Sequence, residues 1–132
     1  SFLVSNVGKR ITAPKLKSRL QLRATSTVLE YLGYLEQSWM FFFIPKFRYS
    51  LKSRALNPKK VYCIDNGLIN ANTKSMSADL GRKLENLVFL ELRRKGFELF
   101  YFSNKGECDF VAYSKNKIIG AWQVCTEVNE DN

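Results

Sequence analysis

The residue types missing from this sequence restrict its chemistry as much as those present. None of the 132 residues is a histidine, which excludes Ser-His and Cys-His nucleophiles and histidine metal ligands. The cysteines Cys63, Cys108 and Cys125 are odd in number, widely spaced and without a CxxC pair. That pattern argues against a disulfide framework and against a zinc site. Any catalysis by these residues therefore uses carboxylates, lysines, thiols or a bound metal.

Positive charge is concentrated in the first half of the sequence. The net charge is +9 overall, yet residues 1–60 carry twelve Lys and Arg against two acids, Glu30 and Glu36. Residues 61–132 carry nine Lys and Arg against ten Asp and Glu. This asymmetry is typical of a polyanion-binding module joined to a near-neutral one. A basic face that is merely solvated is the alternative.

The first half predicts two helices and then two strands. Thr12 is placed to cap a helix over residues 13–22, in which proline is tolerated in the first turn. Thr25 or Ser26 is placed to cap a second helix, which apolar residues at helical spacing extend to about Gln37. An aromatic run over residues 40–47 and a short run over 60–65 predict strands, with a basic connection between them. We expect the aromatic run to be core, although it could also stack on bases.

The second half predicts one helix and three strands. Ser77 or Asp79 is placed to cap the helix, and Gly96 is placed to end it. Strand-like runs follow at residues 97–102, 108–113 and 117–125, joined by hairpin-like links. The fold class predicted is α+β, with a winged helix-turn-helix pattern in the first half. No apolar run approaches the ~18 residues that span a bilayer, so we expect a cytoplasmic protein without membrane contact.

Four segments in order resemble the C-terminal region of a bacterial and archaeal family of AAA-type ATPases. They are YLGYLE at 31–36, VYCIDNGL at 61–68, GRKLENLVFLEL at 81–92 and GECDFV at 106–111. The resemblance implies a winged-helix domain over residues 1–65 and a partial restriction-endonuclease-like domain over 66–132. It also implies a preceding ATPase domain as a partner. The sequence has no GxxxxGK[ST] loop, so ATP would bind only through that absent domain.

The restriction-endonuclease-like resemblance implies a degenerate nuclease site. Glu85 matches the helix Glu and Asp109 the strand Asp, but Gln123 and Cys125 stand where an active nuclease has Glu and Lys. The implied metal ligands are Asp109, Gln123 and Glu85, for Mg²⁺ or Mn²⁺ if any. Glu107 could supplement these carboxylates, and a lysine from a hairpin turn, Lys105 or Lys117, could replace the lost one. Equally, Glu85 and Asp109 could simply form hydrogen bonds in the core.

The leading functional prediction is DNA binding through the basic half. In a winged helix the second helix enters the DNA groove and the wing contacts phosphates. The residues predicted for these two roles are Arg23, Thr25, Ser26 and Thr27 for the helix, and Lys46, Arg48, Lys52 and Arg54 for the wing. Lys15, Lys17 and Arg19 could add contacts from the preceding helix.

Two alternatives from other classes stay open, a metal-dependent endonuclease and a protein-interaction module of the ATPase. The resemblance also implies a further helix and strand after the third strand, where the sequence ends. We therefore expect either that the sequence is a truncated piece of a longer chain or that a partner or second copy covers an exposed sheet edge.

Overall fold

The computed structural model describes residues 2–50, 52, 57–72 and 76–127 as a mixed α+β protein. Its elements in chain order are α1 (Phe2–Ser5), β1 (Arg10–Ile11), α2 (Ala13–Arg19), α3 (Thr25–Gln37), β2 (Phe41–Ile44), β3 (Lys59–Cys63), α4 (Asn66–Ala71), α5 (Met76–Arg94), β4 (Glu98–Ser103), β5 (Glu107–Ser114) and β6 (Lys117–Trp122). Among these described helices, none has the length and apolar character needed to cross a membrane.

The first sheet is antiparallel with strand order β1-β3-β2. Its central strand β3 pairs with β1 through Arg10 and Lys60, and with β2 from Phe41–Cys63 to Ile44–Lys60. Helices α2 and α3 lie between β1 and β2 in the chain and pack against each other. The predicted cap is confirmed at α2, where the Thr12 hydroxyl accepts a hydrogen bond from the Lys15 amide.

The start of α3 differs from the prediction. Its N-cap residue is Ala24, which has no side chain able to accept a hydrogen bond, so neither Thr25 nor Ser26 caps the helix. Thr25 is instead the first helical residue. A sequence pattern locates a helix boundary only to within one or two residues, so the N-cap position is easily assigned to the residue after it.

The second sheet is a three-stranded antiparallel meander with order β4-β5-β6, as the sequence predicts. Helix α5 precedes it and begins at Met76, so Ser77 and Asp79 lie within the helix and not at its N-cap position. The Asp79 carboxylate instead pairs with Arg82. Gly96 follows the helix with φ of +80°, the left-handed conformation that favours glycine at a helix end. The last strand ends at Trp122, three residues before the predicted end at Cys125.

One hydrophobic cluster draws on both halves of the chain. The strand β2 aromatics are buried, which confirms them as core, whereas Trp39 just before the strand is 61% exposed. Tyr62 of β3 stacks on Phe89 of α5, with ring centroids 4.5 Å apart and planes 12° apart. Phe110 of β5 packs against the same tyrosine at 5.3 Å. Residues from both predicted domain ranges therefore share this cluster.

A single buried side chain holds α5 against the end of β3. The Asn86 amide is fully buried, and its oxygen accepts a hydrogen bond from the Cys63 backbone amide at 3.0 Å. Its nitrogen donates to the Cys63 carbonyl and to the Asn66 side-chain oxygen, both at 3.0 Å. Because both backbone polar groups of Cys63 are buried here, their satisfaction depends on this one amide.

Replacing this amide should be costly. We expect Asn86→Ala to lower the free energy of unfolding by about 2–4 kcal/mol, because it leaves buried backbone donor and acceptor groups without partners. Urea denaturation followed by circular dichroism measures the change. Asn72→Ala is the matched control, since Asn72 is exposed and its side-chain amide donates to the Leu68 carbonyl. An Asn86→Ala cost no larger than that of the control would contradict the role assigned to the amide.

Candidate functional site

A lysine from the first sheet lies between the two predicted nuclease carboxylates. Lys60 Nζ is 3.3 Å from Glu85 Oε1 and 3.0 Å from Asp109 Oδ1. The three side chains are 10%, 17% and 14% exposed, respectively. They come from β3, α5 and β5, so the structure brings Glu85 and Asp109 together through an ammonium group that the sequence reasoning did not assign to them.

Further hydrogen bonds fix both carboxylates in place. The Tyr62 hydroxyl donates to Glu85 Oε1 at 2.6 Å, and the Val124 backbone amide donates to Asp109 Oδ2 at 2.9 Å. Gly8 lies against the Glu85 carboxylate with φ of +80°, and a Cβ there would stand 3.3 Å from Oε2. The backbone can approach this closely because glycine has no side chain and accepts positive φ. Together with Lys60, we call Glu85, Asp109 and Tyr62 the buried charge cluster.

Burial dominates the ionisation of this cluster. Desolvation raises the pKa of the Glu85 carboxyl above its ordinary value, and nearby Asp109 raises it further, while the Tyr62 hydroxyl and Lys60 oppose the rise. The pKa of Tyr62 is also raised, first by burial and then by the Glu85 charge. Tyr62 is therefore a neutral hydrogen-bond donor to the carboxylate across the physiological pH range.

The other two predicted nuclease positions lie outside the cluster. Gln123 is exposed, and its side-chain oxygen accepts a hydrogen bond from the Asp109 backbone amide at 3.1 Å. Cys125 is exposed as well. Among the described side chains, no group of three or more His, Cys, Asp or Glu residues is arranged to hold a metal ion. Nuclease chemistry at these positions stays a prediction.

The lysines predicted as replacements are not in the cluster. Lys105 lies in the middle of the link between β4 and β5, Lys117 is the first residue of β6, and both are exposed. The sequence did contain a signal for Lys60. It lies two residues before Tyr62 in a short β-favouring run, and residues two apart in a strand point to the same face. That face had to be buried for the pattern to be meaningful, which only the tertiary structure shows.

A cleft opens beside the cluster, with a cavity of about 330 Å³. Its lining includes Lys9, Arg10, Lys60, Tyr101, Glu107 and Asp109. Glu107 does not join the carboxylates but pairs with Arg10 at 2.8 Å, and it is 72% exposed. The Arg10 guanidinium also lies over the Tyr101 ring, 5.1 Å from its centroid. The rim of the cleft thus carries Lys9 and Arg10 together with the exposed Glu107, while the carboxylates of Glu85 and Asp109 lie largely buried.

The basic connection between β2 and β3 is attached to this cleft by Tyr101. Near its start, the Phe47 amide donates to the Tyr101 carbonyl at 2.7 Å, and the Tyr101 amide donates to the Pro45 carbonyl at 3.1 Å. Near its end, the Tyr101 hydroxyl donates to the Pro58 carbonyl at 2.6 Å. One residue of β4 therefore fixes both ends of residues 45–58, which we call the wing segment.

Two of the predicted wing residues, Lys46 and Arg48, lie near Tyr101 of the cleft. Partial desolvation and the positive charges of Arg48 and Arg10 lower the pKa of Lys46, so these three side chains lie near one another. Lys52 is exposed, and Arg54 lies outside the described residues. Residues from the wing segment and from β1 thus contribute to one basic surface.

The predicted reading helix has a different character. Arg23 and Ser26 are exposed and Thr25 and Thr27 are partly buried near the start of α3. The 13 residues of α3 include no Lys or Arg and two acids, Glu30 and Glu36. The structure therefore places positive charge at the wing segment and not along this helix.

The raised pKa of Glu85 predicts a specific pH dependence. The stabilising contribution of its neutral form is complete below its ordinary pKa of 4.5 and is lost as the pH rises through the raised value. We expect the free energy of unfolding of the protein, minus that of Glu85→Gln, to fall as the pH increases from 4.5. Urea denaturation at several pH values measures this difference.

Tyr62→Phe provides the matched control, because it removes a hydroxyl that lowers the pKa of Glu85. When Glu85→Gln is compared in the Tyr62→Phe background, the decrease in the difference of unfolding free energy should extend to higher pH. A difference that stays flat or increases with pH would contradict the assigned direction of the shift.

Comparison with known proteins gives a family but no activity. An uncharacterized protein of Methanocaldococcus jannaschii is 42% identical over 110 residues, covering 80% of this chain and 24% of that relative. An uncharacterized protein of Haemophilus influenzae is 28% identical over 135 residues, covering 98% of this chain and 34% of the relative. The chain thus spans about a quarter to a third of these curated relatives, and no solved structure matches it significantly. The family model described as Domain of unknown function (DUF8612) matches residues 1–79, and the chain belongs to that family.

Proposed function

We propose that this chain binds nucleic acid by its phosphates through a basic face consisting of Lys9, Arg10, Lys46 and Arg48. The observation that carries the proposal is the proximity of these side chains. Lys9 and Arg10 line the cleft, while Lys46 forms a β-bridge with Tyr101 of the same cleft and lies near Arg10 and Arg48. Lysine and arginine side chains gathered on one surface are the electrostatic footprint of phosphate binding. Lys52 would extend this face along the wing segment.

The order of elements in the first half supports a winged-helix assignment. The order is a helix, a short strand, two helices and two further strands. The three strands form a sheet of order β1-β3-β2. In this proposal the wing segment leads the contact with phosphates. Helix α3 would contribute mainly through Arg23 and the hydroxyls of Thr25, Ser26 and Thr27 at its start, since the rest of it carries only negative charge.

An exposed aromatic side chain on the wing segment fits the same proposal. Tyr49 is 85% exposed, directly after Arg48, while its ring edge packs on buried Phe47 with centroids 5.2 Å apart. Exposed aromatic rings beside basic residues can stack on unpaired bases. Tyr49 could therefore add a contact that phosphate binding alone does not supply.

The second half would support this surface without cutting the bound strand. Helix α5 followed by the β4-β5-β6 meander is the order expected for a partial restriction-endonuclease-like core. The buried charge cluster would fix β5 against β3 and so position the cleft. ATP hydrolysis, if the parent protein is an AAA-type ATPase, would take place in a domain outside this sequence.

Reversing two charges on the basic face tests the proposal. We expect Lys46→Glu/Arg48→Glu to weaken binding of fluorescently labelled duplex DNA and to reduce the slope of log K against log salt by about 0.9 for each phosphate that is no longer neutralised. Fluorescence anisotropy across a salt series, with EDTA present, measures both quantities. A labelled single strand of the same length, tested in parallel, reports strandedness.

Arg94→Glu/Lys95→Glu is the control for net charge, since it changes the charge by the same amount at exposed positions near the end of α5. This control should keep most of the affinity and the slope. Equal losses in both double variants would show only a general charge effect. No binding by the unaltered chain at low salt would reject the proposal in favour of a protein-interaction module.

A further inference from the structure

The position of Lys60 has a consequence for metal binding that is independent of the proposed function. Two carboxylates that approach each other in a poorly solvated site repel, and they need a compensating positive charge. Lys60 supplies that charge through contacts of 3.3 Å to Glu85 and 3.0 Å to Asp109. The ammonium is itself only 10% exposed, so it is part of the packed interior and not a surface ion pair.

The same two oxygens would otherwise be suited to a hard divalent cation. Mg²⁺ and Mn²⁺ prefer carboxylate oxygens, and Mg²⁺ needs them at about 2.0–2.1 Å. A cation at that distance from Glu85 Oε1 and Asp109 Oδ1 would be a close neighbour of the ammonium that already contacts both atoms. The two positive species would therefore compete for one position.

The surrounding hydrogen bonds reinforce this arrangement. Glu85 Oε1 also accepts the Tyr62 hydroxyl, and Asp109 Oδ2 is taken by the Val124 amide. The Gln123 oxygen, the third predicted ligand, accepts the Asp109 backbone amide. Glu85 Oε1, both Asp109 oxygens and the Gln123 oxygen are thus already engaged within the protein, and an incoming cation would have to displace several of these contacts.

We propose that Lys60 is a permanent counter-ion that stands in the place of a divalent cation between Glu85 and Asp109, so that this pair binds no metal while the lysine is present. Removing the ammonium leaves two buried carboxylates with one hydroxyl donor and one backbone donor. That variant has an uncompensated negative charge which a divalent cation can neutralise. Lys60→Ala therefore creates a cation site that the unaltered chain lacks.

The test uses Mn²⁺ as the probe, with isothermal titration calorimetry and thermal unfolding as measurements. The unaltered chain should show no saturable binding and no change in Tm between EDTA and Mn²⁺. Lys60→Ala should have a lower Tm in EDTA, a Tm that Mn²⁺ raises, and Mn²⁺ binding at least about tenfold tighter than in the unaltered chain. Lys60→Ala/Glu85→Gln, which retains one carboxylate, is the matched control and should lose most of the Mn²⁺ effect.

Two results would overturn the proposal. One is stoichiometric Mn²⁺ binding by the unaltered chain that Asp109→Asn abolishes, because the cation would then stand beside Lys60 and not be replaced by it. The other is a folded Lys60→Ala variant whose Tm does not respond to Mn²⁺. Should Lys60→Ala fail to fold in either buffer, the titration of the unaltered chain with its Asp109→Asn variant still decides. Neither readout depends on nucleic-acid binding, so failure here leaves the proposed function standing.

Discussion

The structure depends on neutralising charge in its interior. Glu85, Asp109 and Lys60 are removed from water, and desolvating such groups is unfavourable unless each finds a partner. Each element that supplies one of them is therefore constrained in position: β3 must face α5, and β5 must lie close enough for Asp109 to reach the same ammonium. Removing one member of a buried ionic group typically destabilises by about 3–5 kcal/mol, because the others are left uncompensated. The hydrophobic cluster around Tyr62 and Phe89 packs beside these charged side chains.

The excess positive charge of the first half has a second role in the structure. Lys60 and Arg10 belong to the basic half, yet each pairs with acids of the other half, Lys60 with Glu85 and Asp109, and Arg10 with Glu107. Part of the positive excess therefore holds the two halves together. The face proposed to bind a polyanion, around Lys9, Arg10, Lys46 and Arg48, lies next to these pairs. The two uses are adjacent because Arg10 lies over the Tyr101 ring and Lys46 forms a β-bridge with Tyr101.

Local rules predicted much of the fold because its long elements have clear local signals. Helices α3 and α5 carry apolar residues at helical spacing, and the meander strands alternate between hairpin links, so their type and order were predictable. Short elements were missed, namely α1, β1 and α4. The two residues of β1 make no recognisable pattern, and α4 is only six residues long, capped by Asp65, whose carboxylate accepts a hydrogen bond from the Gly67 amide.

The candidate site was predictable only in part, and for a related reason. Glu85 and Asp109 were identified through resemblance, but their partner Lys60 lies 25 and 49 residues away in sequence. No local rule connects residues at that separation. Likewise, the helix expected to approach DNA could be located, whereas its lack of positive charge gained significance only when the basic residues were found elsewhere.

The shared cluster between the two predicted ranges limits how such proteins can exchange parts. A recombination point near residue 65 would join the β3 of one relative to the α5 and β5 of another. The incoming helix would have to bring a carboxylate for the resident lysine and an amide for the resident Cys63 backbone, as Glu85 and Asn86 do here. Glu85 and Asn86, adjacent on one turn of α5, must therefore be inherited together with the β3 residues that they contact. Recombination between distant relatives is compatible with folding only where the recombined chain keeps these contacts.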